Sequence, residues 1–134
     1  MSESRAKRLL RCVYGALFVV AGANHFANPS FYASIIPPYL PWHLGLVYVS
    51  GLAEIGLGLM LCTNRFRVAA AWGLVALLVA VFPANLHMAF NPEQYPRVPE
   101  IGLWLRLPIQ AVLIVWALWY TRREPATPSQ QAGA

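Results

Sequence analysis

Four apolar stretches decide what this chain can become. They run from about Leu9 to Phe26, Leu44 to Cys62, Val68 to Phe90 and Ile101 to Tyr120. Each is close to the roughly 20 residues that an α-helix needs to cross a bilayer. Lipid offers no hydrogen-bond partners, so a spanning segment must satisfy its own backbone, and a helix does so. The sequence therefore predicts an all-α integral membrane four-helix bundle over residues 1–123. Composition agrees: 58% of the 134 residues are hydrophobic and 11% are charged, whereas an average soluble domain has about 45–50% apolar and about 25% charged residues. A compact water-soluble monomer of this size could not hide so much apolar surface. Intrinsic disorder needs low hydrophobicity, and two cysteines are too few for a disulfide scaffold.

The net charge of +5 raises the question of nucleic acid. The positions of the basic residues answer it. Arg5, Lys7, Arg8 and Arg11 open the first span, Arg65 and Arg67 occupy the turn between the second and third, and Arg122 and Arg123 follow the fourth. Eight of the ten basic residues thus fall on one side of an even-span protein. The positive-inside rule places both termini in the cytoplasm and the protein in the cell (inner) membrane, with no nucleic-acid partner. The first stretch is not read as a cleaved signal peptide, because it is long and lacks a small-x-small site before a polar mature region. Residues 124–134, rich in Pro, Ser, Gln and Ala, are expected to form a disordered cytoplasmic tail.

The outer loops carry structure of their own. Between Asn28 and Trp42 there is no Lys or Arg, but there are Phe31, Tyr32, Ile35, Ile36, Tyr39 and Trp42. Asn28 followed by Pro29 reads as an N-cap with a first-turn proline. A short interfacial amphipathic helix is expected from there to the break at Pro37 and Pro38, at a depth that suits Tyr and Trp. The second outer loop, Asn91 to Glu100, also opens Asn-Pro. The segment Ala23-Asn24-His25-Phe26-Ala27-Asn28-Pro29 parallels Ala84-Asn85-Leu86-His87-Met88-Ala89-Phe90-Asn91-Pro92, with two insertions in the second copy. Both copies end an odd-numbered span, which predicts two repeated helical hairpins of like topology.

Charged groups inside hydrocarbon cost about 2.5–3.5 kcal/mol on insertion scales and persist when paired or facing a protein cavity. Glu54 lies near the middle of the second span, with Ser50, Gly51 and Gly58 on its face. Arg106 lies in the outer half of the fourth, with Gly102 and Gln110 on its face. An arginine side chain can bridge much of the difference in depth, so a buried Glu54–Arg106 ion pair is expected. Asn24, His25, Asn85 and His87 complete a polar set in the outer halves of the first and third spans. The expected ligand-binding residues are His25, Asn24, Glu54, Asn85, Arg106 and Gln110. Pro83 frees the carbonyl of Val79 and should kink the third span, and Pro108 acts similarly in the fourth.

His25 and His87, with Glu54 and Met88, are weak metal candidates. A metal site needs three or four converging ligands, and no His-x-x-x-His pair is present. Histidines satisfied at helix ends are the simpler reading, and His43 beside Trp42 is interfacial. Cys12 and Cys62 lie at the cytoplasmic ends of their spans, without a Cys-x-x-Cys motif for thiol oxidoreductase chemistry. There is no P-loop, dinucleotide-binding glycine turn or nucleophile elbow. No complete catalytic constellation appears in the chain.

Several motifs resemble those of DoxX-like membrane proteins. They are Gly22-Ala23-Asn24-His25-Phe26 with Pro29, Ile36-Pro37-Pro38-Tyr39-Leu40-Pro41, Ser50-Gly51-Leu52-Ala53-Glu54, Phe82-Pro83-Ala84-Asn85-Leu86-His87-Met88 and Arg106-Leu107-Pro108-Ile109-Gln110. The resemblance covers about residues 9 to 121. It implies a four-helix membrane protein of bacterial or archaeal type, of a family named after a small subunit associated with a quinone-linked sulfur-oxidising enzyme. Glu54, Arg106, His25 and Asn85 match polar positions of this subgroup. The implied function is an accessory or binding subunit of a membrane redox process, non-catalytic, with a quinone head group or another small polar molecule as its ligand and a redox enzyme subunit or a second copy of the chain as partner. Two alternatives stand beside it: a small proton-coupled transporter or exporter acting as an oligomer, and a purely structural membrane scaffold.

Overall fold

The structure, a computed structural model, describes residues 3–122. The tail expected to be disordered lies outside the described residues. Four long helices carry the fold: α1 (Arg5–Ala27), α3 (His43–Leu61), α4 (Arg67–Phe90) and α5 (Glu100–Tyr120), with a short α2 (Pro29–Ser34) after the first. All four long helices are sufficiently long and apolar to cross a membrane. Their outer surfaces are accordingly apolar, with Leu9, Val20, Leu52, Ile101, Val112 and Val115 exposed. The start of α1, the end of α5 and the α3–α4 turn share one end of the bundle, here the terminal end. The opposite, loop end carries α2 and the segment after α4.

Local chemistry sets the helix limits. Ser4 caps α1 by accepting from the backbone N–H of Lys7 at 3.1 Å, satisfying one of the donors that a helix start leaves without an intrahelical partner. Thr63 fixes the turn after α3: its hydroxyl donates to the Met60 carbonyl and accepts from the Phe66 N–H. Helix α2 begins at Pro29 as the sequence predicts, but it stops at Ser34, before the proline pair. Asn28 does not cap it through its side chain. Its amide instead donates back to Asn24 Oδ1 at 2.6 Å.

The closest packing joins α1 to α3. Gly15 faces Gly58 and Gly22 faces Gly51, seven residues apart on each antiparallel helix. A methyl group at Gly15 would lie 2.5 Å from the Gly58 carbonyl oxygen, and one at Gly22 2.5 Å from that of Gly51. Small residues let helices approach where lipid gives no hydrophobic drive to associate. The second extensive contact joins α4 to α5, so the bundle is two hairpins, bridged where α3 meets α4. At the terminal end Tyr14, Phe18, Leu61, Leu74, Ala117 and Tyr120 form one core cluster. At the loop end Ile35, Met88, Tyr95 and Leu103 form another.

The repeat is real at the two helix ends, but in a different register from the gapped alignment. Asn28 and Asn91 have the same backbone angles, φ −132° and ψ 56°. Each precedes a proline, and each has a tyrosine four residues on, Tyr32 and Tyr95. Each tyrosine hydroxyl bonds the side chain four residues before the asparagine: Tyr32 meets Asn24 at 2.7 Å, and Tyr95 meets His87 at 2.8 Å. The copies therefore align without gaps, and Asn24 corresponds to His87 rather than to Asn85.

Candidate functional site

Between the two core clusters lies a cavity of about 450 Å³, within the size range of small-molecule sites. All five helices contribute to its wall, and the first loop closes it with Ile35, Ile36, Pro37 and Leu40. Most of the lining is apolar. Its polar members are His25, Tyr32, Ser50, Glu54, Asn85 and Arg106.

The glycine contacts explain why two of these meet. Glu54 follows Gly51 by three residues and precedes Gly58 by four, so it shares the face that packs on α1. His25 stands three residues after Gly22, on the matching face of α1. Nε2 of His25 lies 3.2 Å from Oε2 of Glu54. The other ring nitrogen, Nδ1, lies 3.0 Å from the Val47 carbonyl oxygen and 3.1 Å from Ser50 Oγ. Ser50 itself donates to the Val47 carbonyl at 3.0 Å. The Oε2 atom is enclosed and has no aligned hydrogen bond among the described residues. His25 Nε2 is the polar neighbour that stands against it.

The expected Glu54–Arg106 ion pair does not form. Both residues line the cavity, but the carboxylate sits beside His25. Helical spacing fixed the face on which Glu54 lies, not which helix that face meets. Helix α3 packs on α1, whereas Arg106 is carried by α5, whose main neighbour is α4. Among the described residues the Arg106 guanidinium, half-buried in this wall, has neither hydrogen bond nor ion pair.

The remaining expected site residues separate into two groups. Asn85 lines the cavity and donates through Nδ2 to Gln110 Oε1 at 2.6 Å. Gln110 in turn donates to the Leu78 carbonyl, so this pair ties α5 to α4 and Gln110 has little left for a ligand. The carbonyl it reaches is next to that of Val79, which Pro83 frees, and α4 continues as one helix through Pro83. Asn24 and His87 lie off the cavity. Asn24 is exposed and bonds Tyr32 and Asn28. His87 faces the Tyr95 hydroxyl and the ring of Tyr39. Burial, with Tyr39 beside it, pushes the Tyr95 phenol above its ordinary value of 10, so Tyr95 keeps its hydrogen in its hydrogen bond with His87 Nδ1. His25 and His87 thus belong to separate contacts. No group of three metal-ligating side chains converges among the described residues.

A family model described as domain of unknown function (DUF8561) matches residues 14–121, nearly the whole bundle. The chain belongs to that family. No curated protein and no solved structure matches it. The matched region of this family member holds the complete cavity wall, from Phe18 to Arg106.

Sequence reasoning passed over three residues. Ser50 appeared only as a small neighbour of Glu54, and Tyr32 only as an interfacial aromatic, yet both line the cavity. Arg11 was one of several basic residues flanking the first span. It is fully buried, paired with Glu3 at 2.8 Å and bonded to the carbonyls of Leu61 and Thr63. Its spacing was the available signal: Lys7, Arg11, Tyr14, Phe18, Gly22 and His25 follow one another at steps of three and four, forming a single buried stripe.

Proposed function

We propose that this chain is a membrane-embedded binding protein for a small amphipathic molecule, acting as a non-catalytic accessory subunit of a membrane process. One observation carries the reading: a cavity of about 450 Å³ in the middle of the bundle, apolar except for a few convergent polar groups, one of them an arginine with neither hydrogen bond nor ion pair among the described residues. Such a composition suits an apolar body with a polar head. The DoxX-like resemblance adds a redox, quinone-linked setting. A quinone head group fits the donor set, since its carbonyl oxygens would accept from Arg106 and from the Tyr32 hydroxyl. Gln110, one of the expected ligand-binding residues, is engaged by Asn85 and the Leu78 carbonyl. The distribution of basic residues supports a cell-membrane location with both termini cytoplasmic, which places the cavity toward the outer leaflet.

Extraction of the purified protein tests the reading. Organic solvent should release one small amphipathic molecule in near-equimolar amount. Ala84→Phe, which fills the cavity wall, should reduce that yield several-fold. Repeated preparations that release bulk phospholipid alone would overturn it.

A second reading, proton-coupled transport by an oligomer, is favoured by the contact between Glu54 and His25 at the cavity wall. It requires pH-driven flux in reconstituted vesicles that Glu54→Gln abolishes. Equal flux from the variant would remove this reading.

A further inference from the structure

The charges around the cavity specify the kind of head group, provided that the binding reading holds. The Glu54 carboxyl has His25 as its polar neighbour, with Oε2 3.2 Å from Nε2. Arg106 stays protonated in proteins. Among the described residues no other Asp, Glu, Lys or Arg lines the cavity. Arg106 is therefore the one Lys or Arg of that wall, and among the described residues it has neither hydrogen bond nor ion pair.

We propose that the cavity binds a monoanionic amphiphile, a carboxylate with an apolar body, whose head group pairs with the Arg106 guanidinium. The planar guanidinium fork matches a carboxylate through two parallel hydrogen bonds. A phosphate would bring more oxygens and up to two charges, but the wall offers it no second cation. The Tyr32 hydroxyl accepts from Asn24 and retains its own hydrogen for a further acceptor. Phe18, Val47, Leu78 and Val81 give the apolar body its surface.

The test uses the full chain in phosphatidylcholine nanodiscs at pH 8.5, with bound ligand counted by native mass spectrometry. Dodecanoate should bind at one molecule per chain and at least about tenfold more tightly than dodecanol. Arg106→Gln should abolish that preference, and Arg106→Lys should retain part of it. The comparison of acid with alcohol on the unaltered protein needs no variant to fold. Equal affinity for both would overturn the anion assignment while leaving the binding reading intact, whereas binding of neither would overturn both. Dodecyl phosphate binding more tightly than dodecanoate would overturn the choice of carboxylate.

Discussion

Oε2 of Glu54 lies 3.2 Å from Nε2 of His25, and this contact joins the two helices that approach most closely. Two buried polar groups that face each other depend on one another for a partner. Their effects on stability should be coupled as well. His25→Leu leaves the carboxyl enclosed without its neighbour and should cost about 1–3 kcal/mol. Glu54→Gln keeps an N–H that can donate to Nε2 and should cost less. Thermal unfolding of the two single variants and the double variant in nanodiscs should give a coupling energy of about 0.5–3 kcal/mol. Arg106→Met combined with Glu54→Gln should be additive within about 0.5 kcal/mol, because neither an ion pair nor a hydrogen bond joins these residues. Additivity of His25 with Glu54, or strong coupling of Glu54 with Arg106, would reverse the assignment.

The glycine contacts make a contrast within one helix. Gly58→Ala places a methyl 2.5 Å from the Gly15 carbonyl oxygen, where backbone must move. Overpacking of this kind costs about 1–3 kcal/mol. Gly56→Ala meets nothing within 4 Å and gains helix propensity. It should be neutral or stabilising by up to about 1 kcal/mol. Melting temperatures of the two variants in the same detergent decide the matter. The idea fails if Gly56 proves the more sensitive site.

The bridge between α4 and α5 predicts a rescue. Gln110→Leu leaves the Asn85 amide buried without its acceptor, and Asn85→Leu leaves the Gln110 carbonyl oxygen without its donor. Each should lower stability by about 1–3 kcal/mol. The double change to leucine removes both polar groups and should recover part of the loss. A double variant as unstable as the sum of the singles would show that the two side chains act independently.

Periodicity and length made the four spans legible: each long helix begins and ends within a few residues of its apolar stretch. The short α2 was legible too, from Asn-Pro and the aromatic residues after it. Pairing was not. The face that holds Glu54 followed from spacing, but its partner depended on which helix lay opposite, and Gly22 and Gly51 decided that. Opposite charges drew attention to Arg106, whereas the group within reach was an uncharged-looking histidine. Arg11 was hidden for the same reason: a basic residue near a span end serves topology by composition alone, and only its place on the buried stripe marks it as a bridge. The repeat was visible as Asn-Pro, but the tyrosines that fix its register lie beyond the stretch first compared.

At the terminal end, Glu3 gives stability a dependence on pH. Burial alone would raise its pKa. The hydrogen bonds and charge of Arg11 outweigh burial, aided by Arg67 and Lys7, and hold the carboxyl below its ordinary value of 4.5. A group with a lowered folded pKa stabilises fully above its unfolded value and loses that contribution as pH falls through the folded one. The bundle should thus be insensitive to this pair above about pH 5 and weaken progressively below about pH 4.5. Glu3→Gln should cost about 1.5–3 kcal/mol at pH 7, since Arg11 keeps its bonds to the Leu61 and Thr63 carbonyls and to Asn64 Oδ1. The same variant should flatten the acid limb of the stability profile, so the two proteins approach each other as the pH falls. Melting curves from pH 7 to 3 measure both effects, and parallel acid limbs would show that Glu3 contributes nothing to the dependence.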